Sequence, residues 1–305
     1  MLTQRIRRIA EELGIDAIGF VPIENVAPQA VAYYDSWLAD GKQASMEYLE
    51  KHKAQRENPK LLLPEAQSAI VIAVSYYPAE PQPPDAPQIA KYALGRDYHK
   101  VIKQLLLRLA KQIEEEIGAH DYRPLVDTAP FMERYWAQKS GIGFVGKNSN
   151  LIIPRVGSFV FLGELLTSLE LSTDTVCSKM CGSCHKCIDA CPTGALTDDG
   201  LDARRCINYL TIEHKGEIPE DLSKKLGKRL YGCDTCQDVC PYNRTPRPTR
   251  LFPPAPQLLE LKEEDIKELD ESKYARLFHG TAATRAKLEG MQRNANLYTI
   301  NNKQS

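Results

Sequence analysis

Cysteine spacing constrains this chain more than any other feature of its sequence. Eight of its nine cysteines lie in two runs that each end in Cys-Pro, or stand between those runs. The first run, C-x2-C-x2-C-x3-C-P, consists of Cys181, Cys184, Cys187 and Cys191. The second run, C-x2-C-x3-C-P, consists of Cys233, Cys236 and Cys240. Leu230 stands where the second run lacks its first cysteine, and we assign the vacant place to Cys206, the nearest unused thiol upstream.

This spacing is typical of the bacterial loop that holds a [4Fe–4S] cluster. In two-cluster ferredoxins the cysteine before each proline ligates the other cluster. The ligands predicted for the first cluster are Cys181, Cys184, Cys187 and Cys240. The ligands predicted for the second cluster are Cys191, Cys206, Cys233 and Cys236. Only Cys177 is left over, as a free thiol, and the segment is expected to transfer electrons.

Structural zinc is the main alternative, because zinc sites also use C-x2-C pairs. A triple C-x2-C-x2-C followed by Cys-Pro suits a loop around a cubane better than a tetrahedral ion. A disulfide framework is disfavoured, since the chain begins MLTQRIRR without an apolar signal segment.

Length and composition allow two domains, because 305 residues with 43% hydrophobic content can bury two cores. No apolar run approaches the roughly 18 residues of a membrane span, so we expect a soluble, cytoplasmic protein without membrane contact. The formal charge of −1 gives no overall argument for nucleic acid. However, seven basic residues and two acids lie between Lys224 and Arg250. This stretch is either a solvated face or a surface for a phosphate backbone.

Helix and strand patterns alternate before the cysteines, which predicts an α/β sandwich with helices on the faces of the sheet. The predicted helices are 6–13, 101–117 and one opened by Pro130, and the predicted strands are 15–21, 69–77, 122–127 and part of 151–171. We predict an α/β domain over 1–170, a ferredoxin-like domain over 171–255 and a short, polar, helical tail over 256–305.

The sequence Gly141-Ile-Gly143-Phe-Val-Gly146 matches the dinucleotide fingerprint G-x-G-x-x-G. We reject that interpretation, because the fingerprint must follow a strand and open a helix, whereas this segment follows a predicted helix and leads into a strand. The glycines either let the backbone approach a large flat group or simply form a turn. The polar residues that follow could hold amide or phosphate groups, or form a surface turn. They are Lys147, Asn148, Ser149 and Asn150.

Asp127 is the carboxylate that the pattern singles out. It ends a predicted strand, and ligands in open α/β sheets collect at the carboxyl ends of strands. Shielding by Phe131 and Trp136 would raise its pKa and allow it to give up a proton during a reduction. The alternative is an ordinary helix N-cap. Upstream, Tyr98 and His99 form a polar, aromatic cluster that either packs or stacks on a base or a cofactor.

Taken together, these segments resemble the epoxyqueuosine reductases, over about residues 5–297. The segments are Lys91–His99, Val126–Ala137, Gly143–Asn150, Gly157–Glu164 and the double cysteine motif with the displaced Cys206. The resemblance implies a cobalamin-dependent iron–sulfur oxidoreductase that reduces epoxyqueuosine, at the wobble position of certain tRNAs, to queuosine. It also implies a first domain similar to that of reductive dehalogenases.

The resemblance further implies roles for individual residues. Asp127 would be the catalytic proton donor. The residues expected to contact the corrin are Tyr98, His99, Lys147, Asn148, Ser149, Asn150, Thr211 and Gln237. The cobalamin signature D-x-H-x-x-G is incomplete, because Asp97-Tyr-His99 is followed by Ile102 instead of glycine. We therefore expect the lower face of the corrin to be free of protein imidazole.

The expected partners are a tRNA with a queuosine-type anticodon base and an external electron donor of the flavodoxin or ferredoxin type, with the protein a monomer. Many members of the family continue into a helical repeat domain, whereas this sequence ends at Ser305. Salt-dependent tRNA binding is then expected to rest on the 224–250 stretch with Arg285, Lys287 and Arg293. The alternatives are a dehalogenase-like enzyme for a small molecule and a non-catalytic iron–sulfur electron carrier.

Overall fold

The structure, a computed structural model, describes residues 2–302 as a mixture of helices and short strands. The strands are β1 Ala17–Pro22, β2 Ser68–Ser75, β3 Gln88–Ile89, β4 Tyr122–Leu125, β5 Phe144–Val145, β6 Leu151–Ile152, β7 Val160–Thr167, β8 Leu196–Thr197, β9 Gly200–Leu201 and β10 Arg229–Tyr231. The first helices are α1 Leu2–Glu12, α2 Pro28–Ala39, α3 Tyr48–Lys51, α4 Lys53–Glu57, α5 Tyr98–Ile117, α6 Glu133–Lys139 and α7 Lys186–Asp189. The others are α8 Ile207–Ile212, α9 Glu220–Ser223, α10 Thr235–Asp238, α11 Pro256–Leu259, α12 Glu263–Ile266, α13 Glu271–Phe278 and α14 Lys287–Asn302.

A four-stranded sheet of order β1-β2-β7-β4 forms the centre of the first half of the chain. Every neighbouring pair in it is antiparallel. All eight residues of β2 are buried, as its continuous apolar sequence indicated. The rule that ligands collect at the carboxyl ends of strands applies to parallel sheets, so that reason for choosing Asp127 does not hold.

Helices cover both faces of this sheet, which confirms the predicted α/β sandwich. On one face, Ile6 of α1 and Leu106 of α5 pack against Ile70 and Ile72 of β2. The other face packs against Trp136 of α6. Alternate residues of each strand point to opposite faces, and each face therefore has its own apolar core.

Two predicted helix starts differ from the observed ones. Helix α5 begins at Tyr98, earlier than expected, because the Asp97 side chain caps it by accepting the backbone N–H of His99. Pro130 does not open a helix, and α6 begins only at Glu133. The segment between them is occupied by tight turns, in which Ala129 N–H donates to Val126 O.

The C-terminal segment shares a core with the rest of the chain. Phe278, Met291 and Tyr298 pack with Ile89 of β3 and with Leu230 of β10. Leu230, which stands in the vacant cysteine position, is completely buried there. The predicted helical character of the segment is observed, whereas the domain limits at 170 and 255 stay predictions. Residues 1 and 303–305, included in the predicted ranges, lie outside the described residues. Within residues 2–302, no helix is long and apolar enough to cross a membrane.

Candidate active site

Asp127 lies in a network with three side chains, two from the start of α5 and one from the start of α6. Its Oδ2 accepts a hydrogen bond from Tyr98 Oη at 2.6 Å and lies 3.2 Å from His99 Nε2. Its own N–H donates to Oε1 of Glu133 at 2.6 Å. The backbone of Asp127 is in the left-handed region, with φ +31°, which is uncommon for a residue other than glycine. The network therefore holds a strained backbone as well as a carboxylate.

His99 lies between two carboxylates. Its Nδ1 is 2.8 Å from Asp97 Oδ1, and its Nε2 faces Asp127. Only a doubly protonated imidazolium can donate to both. Burial works to lower the pKa of His99, but the hydrogen bonds to Asp127 and Asp97 outweigh it and hold that pKa above its ordinary value. In this arrangement the proton resides on the imidazole.

The prediction that shielding raises the pKa of Asp127 was wrong. Burial does work in that direction, but hydrogen bonds from His99 and Tyr98 outweigh it, and the pKa lies below its usual value. The two residues expected to shield Asp127, Phe131 and Trp136, belong instead to the core beneath the sheet. The Asp127 side chain itself is half-exposed, at 55%. Asp127 is therefore a carboxylate beside a cationic histidine.

Sequence reasoning missed two acids behind Asp127, one partly buried and one completely buried. Glu133 begins α6, and its burial, together with the neighbouring charge of Asp127, raises its pKa to about 8. Glu164 lies in the middle of β7, paired with Val71 and Leu125, and is completely buried. Burial raises the pKa of Glu164 well above its usual value. The available signal was a single acid in the otherwise apolar run from Val160 to Leu166.

The Lys147–Asn150 loop connects this acid network with both cysteine motifs. Arg134, next to Glu133 on α6, donates to the carbonyl of Ser149. On the other side, Asn148 Nδ2 donates to the carbonyl of Cys236 at 3.4 Å. Lys147 Nζ lies 2.7 Å from Nε2 of His185, which follows Cys184. The loop thus lies between Asp127 and the second cysteine motif.

Thr211 and Gln237, which were predicted to contact a cofactor, have polar groups already engaged within the protein. Thr211 Oγ1 donates to Ile207 O and accepts the N–H of Gly232. Gln237 Nε2 donates to Ser158 O at 2.8 Å. Both side chains are buried. Their role toward a cofactor stays a prediction.

Packing against β6 requires glycine at two positions of the segment 141–146, which precedes this loop. A Cβ atom on Gly143 would lie 2.4 Å from the carbonyl oxygen of Ile152, and one on Gly146 would lie 2.5 Å from its side chain. The segment follows α6 and contains the short strand β5, so it does not open a helix, in agreement with the rejection of a dinucleotide fingerprint. The close approach is therefore to β6 of the same chain.

The cysteines gather in the two predicted groups. One cavity is lined by Cys181, Cys184, Cys187 and Cys240. Burial, with the neighbouring thiols of Cys233 and Cys191, raises the pKa of Cys206 to about 11. Burial and the thiols of Cys233 and Cys206 likewise raise the pKa of Cys236. Cys206 thus lies among the other members of the second set, and none of the nine cysteines, all of which the structure describes, forms a disulfide.

The predicted tRNA-binding residues are not equally available. Arg293 is partly buried and donates to the carbonyl oxygens of His214, Gly216 and Leu210. Arg285 is exposed but forms a two-bond pair with the carboxylate of Glu213. The other exposed members of the set are Lys224, Lys225, Arg244, Arg247, Arg250 and Lys287.

Comparison with known proteins agrees with this geometry. The family model described as epoxyqueuosine reductase QueG, DUF1730, matches residues 56–128, and the model described as a 4Fe-4S double cluster binding domain matches residues 180–243. The second match favours iron–sulfur clusters over zinc.

Individual proteins match over most of the chain. An epoxyqueuosine reductase of Cellulophaga algicola is 42% identical over 284 residues, covering 92% of this chain and 91% of that protein. A Bacillus subtilis epoxyqueuosine reductase, whose catalytic aspartate loop is swung out of the active site, superimposes with a TM-score of 0.88. It is 32% identical, over 100% of this chain and 82% of that one.

A further solved structure is an epoxyqueuosine reductase with an epoxyqueuosine-modified tRNA-Tyr stem loop. It has a TM-score of 0.87 and 32% identity, and covers 98% of this chain and 81% of that one. Sequence identity, coverage and fold therefore agree, and the chain belongs to the epoxyqueuosine reductase family.

Proposed function

We propose that this protein reduces the epoxide of epoxyqueuosine in tRNA to the alkene of queuosine. The observation that carries the proposal is the position of the acid network of Asp127, His99 and Tyr98, one loop away from the second cysteine motif. The proposed proton source and the proposed cluster ligands would thus lie on opposite sides of the Lys147–Asn150 loop. The family match gives the substrate, since a relative is described with an epoxyqueuosine-modified stem loop.

The reaction determines what the protein must supply. Two electrons and two protons convert the epoxide into an alkene and water. Ordinary side chains do not supply electrons, so these come from cofactors. The eight assigned cysteines would hold two [4Fe–4S] clusters, which would supply electrons one at a time. Cobalamin, when bound, supplies a low-potential cobalt that can hand electrons to carbon.

Two observations indicate that the residues present could hold a corrin. The Lys147–Asn150 loop contacts Arg134 beside the acid network on one side and Cys236 on the other, so a corrin held by this loop would lie close to both. Both ring nitrogens of His99 face carboxylates, so this imidazole is not available as a ligand to cobalt. A corrin without a protein imidazole agrees with the incomplete D-x-H-x-x-G signature. The loop would hold its edge through backbone and amide groups.

Proton delivery is the part of the reaction that these side chains perform. The proton is stored on His99, because two carboxylates stabilise the imidazolium. Asp127 receives it at Oδ2 and transfers it to the epoxide oxygen, which then leaves more easily. Tyr98 donates to the same Oδ2 and fixes its direction. Asp127 is half-exposed and can therefore meet a substrate.

The tRNA would bind through exposed cations on the cluster side of the molecule. Arg293 is used to bind carbonyl groups of its own chain. The exposed members of the predicted set are Lys224, Lys225, Arg244, Arg247, Arg250, Arg285 and Lys287. Phosphate contacts of this type make binding weaken steeply with salt. We also propose that the protein acts as a monomer with an external donor of the flavodoxin or ferredoxin type.

The test is purification without oxygen, reconstitution with cobalamin, and analysis of iron, sulfide and cobalt. The protein is then incubated with a reductant and epoxyqueuosine-containing tRNA, and the nucleosides are identified by mass. Formation of queuosine supports the proposal. Clusters without cobalt would indicate an electron carrier, and reduction of a halogenated small molecule but not of the tRNA would indicate a dehalogenase-like enzyme. Either result would overturn the proposal.

A further inference from the structure

Glu164 is a buried acid for which the proposed reaction has no use. It lies in the centre of the sheet, between Val71 of β2 and Leu125 of β4, and none of its surface is exposed. Among residues 2–302, neither of its carboxylate oxygens has a hydrogen-bond donor. A charged carboxylate in such a place would be strongly disfavoured. Glu164 therefore needs a partner that carries a proton, or must carry one itself.

The carboxyl group that can provide this partner is that of Glu133. The side chains of Glu133 and Glu164 are within hydrogen-bonding reach of each other. Two ionised carboxylates have no hydrogen to share and repel each other, so such a contact requires one proton on the pair. The absence of any donor to Glu164 and its closeness to Glu133 are thus explained together. One acid donates and the other accepts.

Glu133 also holds the backbone of the proposed catalytic residue. Its Oε1 accepts the N–H of Asp127 at 2.6 Å. The backbone of Asp127 has a φ of +31°, a conformation that residues other than glycine adopt only when their surroundings impose it. A connected path therefore runs from the centre of β7, through α6, to the turn that carries Asp127.

We propose that Glu133 and Glu164 share one proton and act as positioning residues that hold Asp127 in the active site. Loss of the shared proton at alkaline pH would leave two charged carboxylates side by side, one of them in the sheet core, separate the pair and release the Asp127 turn. The inference rests on the proposed function of Asp127. In the Bacillus subtilis relative the catalytic aspartate loop has been found swung out of the active site, so in that protein the loop has a second position.

The charges around the pair act in both directions. Arg134, beside Glu133 on α6, and His99, at the start of α5, favour an ionised Glu133. Burial, first of all, and the carboxylate of Asp127 favour the protonated form and prevail, and burial has the same effect on Glu164. Tyr98 faces Asp127 and stays neutral, because burial and Asp127 raise its pKa. The shared proton is therefore retained at neutral pH and lost at alkaline pH.

The experiment compares pH profiles of turnover on epoxyqueuosine-containing tRNA for the reconstituted holoenzyme and its variants. The amide of Glu164→Gln can donate permanently to Glu133 and cannot ionise. We therefore expect the alkaline decrease in kcat to move by at least about one pH unit or to disappear. Glu133→Gln retains an acceptor for the N–H of Asp127 and a donor for Glu164. We expect the same change in its alkaline limb as in Glu164→Gln. Glu133→Ala removes the acceptor and should lower kcat by about tenfold or more at every pH, with a smaller effect on KM.

Two controls make the outcome decisive. Glu114→Gln, an exposed acid on α5, should keep the wild-type profile. Infrared difference spectra of the protein without substrate should show a protonated carboxyl band that is lost at alkaline pH and is absent from the titration of Glu164→Gln. If the wild type forms no queuosine, the proposed function fails while the infrared titration still tests the pair. An unchanged alkaline limb in both glutamine variants, or no titrating carboxyl band in the wild type, would overturn the inference.

Discussion

Tyr98 Oη donates a 2.6 Å hydrogen bond to Oδ2 of Asp127, the same oxygen that lies 3.2 Å from His99 Nε2. The Tyr98 ring is held by stacking, with its centroid 4.0 Å from that of His99 and 4.3 Å from that of Phe161. The hydroxyl is thus aimed by packing on β7, not by the turn that carries Asp127. Its contribution can therefore be removed without disturbing the ring.

Replacing Tyr98 with Phe should raise the pKa of Asp127, because one of the two hydrogen bonds that lower it is lost. The acidic limb of the pH profile of kcat/KM should move to higher pH, and kcat should fall roughly 3- to 30-fold as the carboxylate loses its fixed direction. Tyr122→Phe, at the other end of β4, is the matched control and should have no effect. An identical acidic limb in Tyr98→Phe would show that the hydroxyl does not act on Asp127.

Asp127→Asn tests proton transfer without removing the hydrogen-bond acceptor. The amide oxygen can still accept from Tyr98, but the group cannot carry a proton to the substrate. We expect turnover to fall by about 100-fold or more, while cluster absorbance, cobalamin binding and tRNA affinity stay close to wild type. Rapid kinetics with pre-reduced enzyme give the measurement. Full activity in this variant would remove Asp127 from the mechanism.

Cys206→Ser tests the displaced ligand of the second cluster. Since Cys206 lies among the thiols of Cys191, Cys233 and Cys236, its loss should affect that cluster alone. We expect iron to fall from about eight atoms per chain toward about four, with turnover lost. Cys177→Ser, which changes the one thiol outside both sets, should keep the full iron content. Equal iron in the two variants would show that Cys206 is not a ligand.

The sequence predicted those parts of the site that depend on local spacing. Cluster ligands are predicted from short intervals between cysteines, and Cys206 was assigned by elimination to the one vacant place, next to the thiols where the structure puts it. Helix α5 and strand β2 have strong apolar patterns, and both were observed close to their predicted limits. Leu230 occupies the vacant cysteine position, and its side chain packs in the core shared with the C-terminal helices.

Features that depend on distant contacts could not be predicted in this way. Shielding by residues that follow Asp127 in sequence was predicted to raise its pKa. That pKa is instead lowered by Tyr98 and His99, which α5 brings next to it. Glu164 is buried beside Glu133 only because of the antiparallel register of β7 with β2 and β4. Arg293 is of a residue type that commonly binds phosphate, but its guanidinium group donates to three carbonyl oxygens of its own chain. In each case the partner is more than 25 residues away.

Lys91 links β3 to the second cysteine motif and should be important for stability. Its Nζ lies 2.7 Å from Asp238 Oδ1 and 3.4 Å from Asp234 Oδ2, and the Asp234 side chain is only 11% exposed. Lys91→Met should therefore destabilise the fold by roughly 2–4 kcal/mol, because it leaves a nearly buried carboxylate without a cation. Lys51→Met, which breaks an ion pair with both partners more than 60% exposed, should change stability by less than about 0.5 kcal/mol. Similar losses in thermal unfolding of the two variants would contradict this difference.

Glu133 and the buried Glu164 should also make stability depend on pH. Glu133 has a pKa of about 8 in the folded protein, compared with an ordinary value of 4.5, so the folded state binds its proton more tightly than the unfolded state. Stability is then greatest below pH 4.5 for this group and is lost as the pH rises toward 8. Glu164→Gln removes one of the two ionisations while keeping a hydrogen bond to Glu133. Thermal unfolding should show this variant more stable than the wild type by roughly 1–3 kcal/mol at pH 9, with a smaller difference at pH 6. A gain of equal size at both pH values would mean that the amide improves packing and that no proton is shared.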